Sequence, residues 1–126
     1  MSFYWTELNT RYPDSAKLFY SATMGWTFRQ AGEAADYWLV FKDEKVVGGL
    51  YHMRDAEFDG VPEHWFSYVE VDDVDVACAT AVAAGGSVLR KPTFIPHVGR
   101  IAILSDPAGS PIGCISPEPS VAEIAA

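Results

Sequence analysis

The chain has 126 residues, 49% of them hydrophobic, which suits one compact domain with a buried core and leaves no room for a second full domain. It carries 17 acidic against 9 basic side chains, a formal net charge of −8 at pH 7, which disfavours nucleic acid and anionic membranes as partners. No basic stretch precedes an apolar run at the N-terminus, and no segment approaches the roughly 18 apolar residues of a membrane span, so we expect a cytoplasmic protein.

The first half of the chain predicts the element order β-α-β-β-β. Residues 3–9 form an apolar stretch that favours a strand. The segment "DSAKLFYSATMG" follows with helical spacing between a capping candidate, Asp14, and a terminating Gly25. Turn-forming residues then separate three short strands, which we place at 26–31, 36–42 and 46–53.

The second half predicts the same order again. After a polar loop, "HWFSYVEV" favours a strand, and "DDVDVACATAVAAGG" favours an Ala-rich helix that is entered through Asp72 or Asp73. The last three strands are "SVLRK", "RIAILSD" and "PIGCIS". Trp65 follows Trp5 by 60 residues, and a glycine stop follows each helix at the same spacing, which indicates an internal repeat. We divide the chain into a first module at about 1–60, a second at about 61–116 and a tail at 117–126.

The two modules together, with "LFYSATMGW", "VEVDDVDVACATAVAAGG" and "VGRIAILSDPAGSPIG" at their positions, resemble the vicinal oxygen chelate superfamily. That group includes glyoxalase I, extradiol dioxygenases and bleomycin-resistance proteins, and the resemblance covers roughly residues 3–116. It implies an α+β fold in which two βαβββ modules form an open barrel around a central cavity, as one glyoxalase/bleomycin-resistance-like domain. It also implies that metal-bearing relatives hold a divalent ion with His and Glu side chains, one from each of four strands.

Matching this chain to those four ligand positions leaves almost no metal donors. The resemblance places three of them at Trp5, Phe66 and Gly113, and the fourth at either Gly49 or Leu50. None of these side chains offers the oxygen or imidazole donors that such sites use. We therefore expect no bound metal and no cofactor.

Strand alternation defines the candidate ligand-binding residues. It places Glu7 on the same side as Trp5, and Tyr68 on the same side as Phe66. A carboxylate among aromatic side chains is desolvated, which raises its pKa and suits Glu7 to proton abstraction or to binding a cationic ligand; the alternative is an exposed carboxylate at the barrel mouth. Gly113 leaves space for bulky neighbours or a ligand, or relieves crowding in a filled core.

Two further residues have a functional and a structural interpretation. His52 lies in the strand that holds the fourth ligand position, and it is a ligand-binding or acid/base candidate or a partly exposed strand histidine. Arg100 anchors an anionic ligand, pairs with Asp106 or lies on the surface, and the nearby segment "PTFIPHVGR" is interpreted as a loop that closes over the cavity.

The remaining polar and sulfur-bearing residues favour structural roles. Asp72, Asp73 and Asp75 look like a calcium-binding cluster, but their place at a helix start explains them as capping and dipole-complementing residues. Cys78 and Cys114 are too few and too far apart for a disulfide framework, and we interpret them as small buried hydrophobes.

Three functions remain open from the sequence. The first is a metal-independent protein that binds a small, largely apolar or aromatic molecule in an aromatic-lined cavity. The second is a lyase or isomerase of the superfamily that uses Glu7 as a base or an atypical metal site. The third is a protein whose cavity has filled and whose role is association only. We also expect a homodimer, because open half-barrels expose sheet edges that are usually paired or covered.

Overall fold

The computed structural model describes residues 3–31, 36–95 and 98–117, which form two successive β-α-β-β-β modules. The α+β class and the two βαβββ modules predicted from the sequence are thus confirmed. Neither helix in these residues is long and apolar enough to cross a membrane. The elements are β1 (Phe3–Thr10), α1 (Pro13–Met24), β2 (Thr27–Gln30), β3 (Tyr37–Lys42), β4 (Lys45–His52), a 3-10 turn (Ala56–Phe58), β5 (His64–Glu70), α2 (Val74–Ala83), β6 (Ser87–Ile95), β7 (Gly99–Ser105) and β8 (Pro111–Pro117).

The chain divides into two compact units. The N-terminal unit comprises residues 5–66, and the C-terminal unit comprises residues 67–117 with residues 3 and 4. In the N-terminal unit the strand order is β2-β3-β4-β1, with β1 and β4 parallel and the other neighbours antiparallel. In the C-terminal unit the order is β5-β8-β7-β6, again with one parallel pair, β5 and β8.

The two parallel pairs fix the register that the sequence left open. Glu7 aligns with Gly49 between β1 and β4, and Tyr68 aligns with Gly113 between β5 and β8. Gly49 therefore corresponds to Gly113 in the repeat. Leu50, the alternative, is only 1% exposed and belongs to the core beneath α1.

Helix α1 begins two residues earlier than a cap at Asp14 would place it. Pro13 opens the helix, where its missing N–H costs nothing, and Tyr12 at the cap position makes no side-chain capping bond. The prediction of Asp14 as the cap was therefore wrong; it lies in the first turn, 3.9 Å from Lys17 Nζ. The predicted stop at Gly25 is confirmed, because its left-handed φ of 70° suits a residue without Cβ.

Helix α2 covers the core of the C-terminal unit. Asp73 caps it, its Oδ1 accepting a hydrogen bond from the backbone N–H of Val76 at 3.1 Å. Cys78 and Cys114 are buried in one cluster with Val74 and Ala102, and burial raises the pKa of both thiols. The prediction that both cysteines behave as small hydrophobes is confirmed.

Arg100 lies on the surface, which is one of the interpretations that the sequence left open, but its ion-pair partner is not Asp106. Its Nε and Nη2 bond both carboxylate oxygens of Asp75, each at 2.9 Å, so the predicted partner Asp106 is wrong. Asp106 instead accepts backbone N–H bonds from Ala108 and Ser110 in the following turn.

The segment "PTFIPHVGR" is not a loop throughout. Residues 92–95 belong to β6, where Thr93 aligns with Ile101 and Ile95 with Gly99 on β7. The prediction of a loop here was wrong for these residues, because β-branched and aromatic side chains continue the strand past Pro92. His97 lies outside the described residues.

The Asp75–Arg100 pair predicts a pH-dependent contribution to stability. Hydrogen bonds from Arg100 hold the pKa of the Asp75 carboxyl below its ordinary 3.8, so the pair stabilises the fold above the unfolded pKa and loses this effect as pH falls through the folded value. Asp75→Asn should lower the free energy of unfolding at about pH 7, and its difference from wild type should shrink below about pH 4. Urea titrations across pH test this, with Asp72→Asn as the exposed control; a difference that is independent of pH would contradict it.

Candidate functional site

The hydroxyl of Tyr37 joins the two leading sequence-predicted residues of the N-terminal unit. Trp5 donates its indole Nε1–H to Tyr37 Oη at 2.8 Å, and Tyr37 donates to Glu7 Oε1 at 2.8 Å. All three side chains are buried, Glu7 being 8% exposed. Trp5 and Glu7 thus lie on one side of β1, as strand alternation predicts.

This side of the sheet is the one that α1 does not cover. Leu8 and Leu50 pack with Val40 in the core cluster that meets α1 through Ala16 and Tyr20. Because successive strand side chains point to opposite faces, the residues on either side of Leu8 and Leu50 face away from the helix. The buried carboxylate therefore lies on the helix-free face of the N-terminal unit.

Gly49 is the residue that lets Tyr37 reach Glu7. On β4 it aligns with Glu7 on one side and with Leu39 of β3 on the other, while Tyr37 aligns with Tyr51. A Cβ at position 49 would lie 2.0 Å from Tyr37 Oη and 2.5 Å from its Cζ, far inside van der Waals contact. The tyrosine ring thus lies directly over the glycine.

An aromatic row extends from Tyr37 along the same face. The ring of Tyr51 lies 6.4 Å from that of Tyr37 and 5.6 Å from that of Phe58, with tilted and edge-on geometry. The 3-10 turn presents Phe58, and Arg11 fixes this turn by donating to the Phe58 carbonyl and pairing with Glu63. The row places apolar, electron-rich surface beside a single buried carboxylate.

The C-terminal unit repeats the glycine-under-tyrosine arrangement. A Cβ at Gly113 would lie 2.2 Å from Cδ2 of Tyr68, its ladder partner. Gly113 therefore makes room for a tyrosine ring within its own unit. Ile101 and Ile115 are buried beside it on β7 and β8.

His52 lies on the face of β4 opposite to the group around Glu7. His52 has the strand parity of Leu50, opposite to Gly49, and its Nδ1 lies 3.1 Å from Arg54 Nη2. Phe66 is buried, and its ring packs edge-on against His64 at 6.1 Å.

The side chains at the four positions to which the resemblance assigns metal ligands do not fit a divalent ion. Trp5 and Phe66 have no metal donor, and the two glycine positions are covered by tyrosine rings that an acidic side chain would have to displace. Among residues 3–31, 36–95 and 98–117, no group of three or more His, Cys, Asp or Glu side chains is arranged to hold a metal ion.

Sequence reasoning missed Tyr37, Tyr51 and Phe58. A usable signal exists for the first two, since each belongs to a predicted strand and alternation alone would have placed Tyr51 on the side of Gly49. Phe58 lies in a polar loop with no periodic pattern, so only the fold brings it to the row.

Comparison of the sequence with known families identifies the superfamily to which the chain belongs. A family profile described as Glyoxalase/Bleomycin resistance protein/Dioxygenase superfamily matches residues 2–113, and the chain belongs to that superfamily. The resemblance drawn from the sequence is thereby confirmed.

One curated relative and two solved structures show the range of proteins that this chain resembles. It is 42% identical over 117 residues to a Mycobacterium bovis protein named "Putative glyoxylase CFP32", covering 91% of this chain but only 44% of that protein. A methylmalonyl-CoA epimerase from Mycobacterium tuberculosis matches with TM-score 0.64 at 14% identity, covering 96% of this chain and 91% of the other. An Mn(II)-bound glyoxalase from Novosphingobium aromaticivorans matches with TM-score 0.60 at 20% identity, covering 90% and 38%. The two structures share the fold, and this chain spans less than half the length of the curated relative.

The contact between Gly49 and Tyr37 predicts a specific coupling. Gly49→Ala should destabilise the protein by about 1–3 kcal/mol, because the new methyl group displaces a buried, hydrogen-bonded ring. Tyr37→Ala removes the clash, so the double variant should be more stable than the sum of the single effects by about 0.5–3 kcal/mol. Urea unfolding of the four proteins measures this coupling.

Gly48→Ala is the matched control for that cycle. Its Cβ would lie 2.4 Å from the backbone carbonyl oxygen of Thr6, which truncation of Tyr37 cannot relieve. An equal coupling energy of Tyr37 with Gly48 and with Gly49 would contradict a specific contact between Tyr37 and Gly49.

Proposed function

We propose that this chain binds a small, largely apolar or aromatic molecule without a metal, on the helix-free face of its N-terminal unit. The observation that carries the proposal is the hydrogen-bonded group of Trp5, Tyr37 and Glu7, in which Trp5 is the residue to which the resemblance assigns a metal-ligand position. A ring surface with few polar groups is the usual lining of a small-molecule site.

The arrangement separates two contributions to binding. The half-buried rings of Tyr51 and Phe58 offer apolar surface beside the buried rings of Trp5 and Tyr37, and aromatic surface of this kind contributes strongly to binding when a ligand covers it. Glu7 supplies a polar contact that orients the ligand, and its position is fixed by Tyr37 before the ligand arrives. Fixing the carboxylate in advance reduces the ordering cost on binding.

A second candidate function rests on the same pair. A carboxylate that is hydrogen-bonded to a tyrosine hydroxyl combines a proton acceptor with a proton donor. A lyase or isomerase that removes a proton from a carbon atom uses such a pair. Once a reacting substrate is identified, Glu7→Gln separates the two functions, because it would abolish turnover while leaving much of the apolar binding in place.

The proposal predicts a protein without a stoichiometric transition metal. Elemental analysis after mild purification should find far less than one Zn, Ni, Mn or Fe per chain, and EDTA should leave the thermal unfolding midpoint unchanged. About one metal ion per chain, or a clear loss of stability with EDTA, would overturn metal independence.

Ligand binding should depend on Trp5. For 2-naphthalenemethanol, a flat neutral probe, Trp5→Ala should weaken the affinity measured by calorimetry by about 1–3 kcal/mol. Trp65→Ala is the matched control, since Trp65 is 40% exposed and packs against Tyr20 and Trp26 beside α1. An unchanged affinity in a folded Trp5→Ala protein, or an equal loss in the control, would place the site elsewhere.

We also propose a homodimer. In the N-terminal unit, α1 exposes three large apolar side chains, Leu18 at 76%, Phe19 at 57% and Met24 at 48%, and exposed apolar side chains on one helix favour association. Sedimentation at micromolar concentration should give twice the chain mass of 13.8 kDa, and Leu18→Lys with Phe19→Lys should reduce it to one chain. A single-chain mass for the wild type would contradict the proposal.

A cytoplasmic setting, without nucleic acid or a membrane as partner, completes the proposal. It is supported by the net charge of −8 and by two buried, unbridged cysteines.

A further inference from the structure

The directions of the hydrogen bonds around Tyr37 define the role of Glu7 as an acceptor. An indole N–H can only donate, so Trp5 occupies a lone pair of the Tyr37 oxygen. The single hydroxyl proton of Tyr37 is then directed to Glu7 Oε1, which accepts it. Tyr37 thus leaves Glu7 as a hydrogen-bond acceptor on the helix-free face, which is the role that a cationic ligand requires.

The rings beside the carboxyl group of Glu7 have an electrostatic character that also suits a cation. Aromatic faces are electron-rich and attract cations, and a carboxylate next to them adds a direct Coulomb attraction. Tyr37 and Tyr51 lie with ring centroids 6.4 Å apart on the face that holds Glu7. The net charge of −8 further raises the local concentration of cations over anions.

We propose that the ligand of this site is an organic ammonium cation with a flat apolar body. Its nitrogen bonds Glu7, and its apolar part lies along Trp5, Tyr37 and Tyr51. This inference rests on the proposed function, and it adds the charge of the ligand, which the apolar surface alone leaves undefined.

A size-matched ligand series tests the charge directly. Calorimetric titration of the full chain at about pH 7 compares 2-naphthylmethylammonium, 2-naphthalenemethanol and 2-naphthoate, which share one ring system and differ in charge. The cation should bind about tenfold more tightly than the alcohol, and the anion should bind most weakly. This comparison on the unmodified chain decides the inference even where a variant fails to fold.

Variants then assign the preference to its residues. Glu7→Gln should reduce the preference for the cation to within about twofold while retaining the affinity for the alcohol, and Tyr37→Phe should reduce it by several fold. Asp72→Asn removes one negative charge from an exposed position in the C-terminal unit and should leave the preference unchanged.

The outcomes separate this inference from the proposed function. Equal affinity for cation and alcohol, with alcohol binding still dependent on Trp5, overturns the cationic ligand alone. An affinity for the alcohol that is unchanged in Trp5→Ala overturns the proposed site. If none of the three probes binds, both the proposed function and the cationic ligand are overturned. A preference for the cation that survives Glu7→Gln, or that falls equally in Asp72→Asn, overturns the role of Glu7.

Discussion

The hydroxyl of Tyr37 is the contact on which the candidate site depends. It accepts from Trp5, donates to Glu7 and lies over Gly49, so four residues from three strands are fixed by one oxygen atom. Loss of this hydroxyl would leave a buried indole N–H and a buried carboxylate each without this partner, at a cost of about 1–3 kcal/mol per group. The same hydroxyl thus stabilises the fold and sets the chemistry of the helix-free face.

The two units use the repeated glycine position in different ways. Both Gly49 and Gly113 lie opposite their ladder partners and beneath a tyrosine ring, so neither offers a carboxylate at the position to which the resemblance assigns a metal ligand. The ring over Gly49 comes from the antiparallel neighbour β3, whereas the ring over Gly113 comes from Tyr68 on the parallel neighbour β5. Because Tyr37 reaches across β4, its hydroxyl meets Glu7 and forms the polar pair of the N-terminal unit.

Local sequence patterns were sufficient to predict most of the secondary structure. Alternation and turn residues defined all eight strands, and the left-handed Gly25 marked the helix end where the sequence placed it. The failures have local causes. Tyr12 rather than Asp14 holds the cap position of α1, because Pro13 opens the helix, and β-branched and aromatic residues extend β6 beyond Pro92. The ion pair of Arg100 with Asp75 joins residues 25 apart in the chain, which no local pattern specifies.

The site was less accessible to sequence reasoning. Trp5 and Glu7 were predictable because they lie two residues apart on one strand, and alternation alone places them together. The choice between Gly49 and Leu50 was not predictable from the sequence, because an irregularity between Val40 and Phe41 shifts the β3–β4 register. Only the parallel pairing of β4 with β1 aligns Gly49 with Glu7. Tyr37 lies 30 residues from Glu7, so its role exists only after the strands have paired.

The most direct test of this account is the side-chain NMR signal of the Trp5 indole N–H. Each of the four tryptophans gives one such resonance, and Trp5→Phe assigns the one that donates to Tyr37. On addition of 2-naphthylmethylammonium, the Trp5 resonance should shift most, because the ligand covers its ring and perturbs its hydrogen bond. A shift confined to Trp26 and Trp65, which pack together beside Tyr20 of α1, would place the ligand on the opposite face and contradict the account.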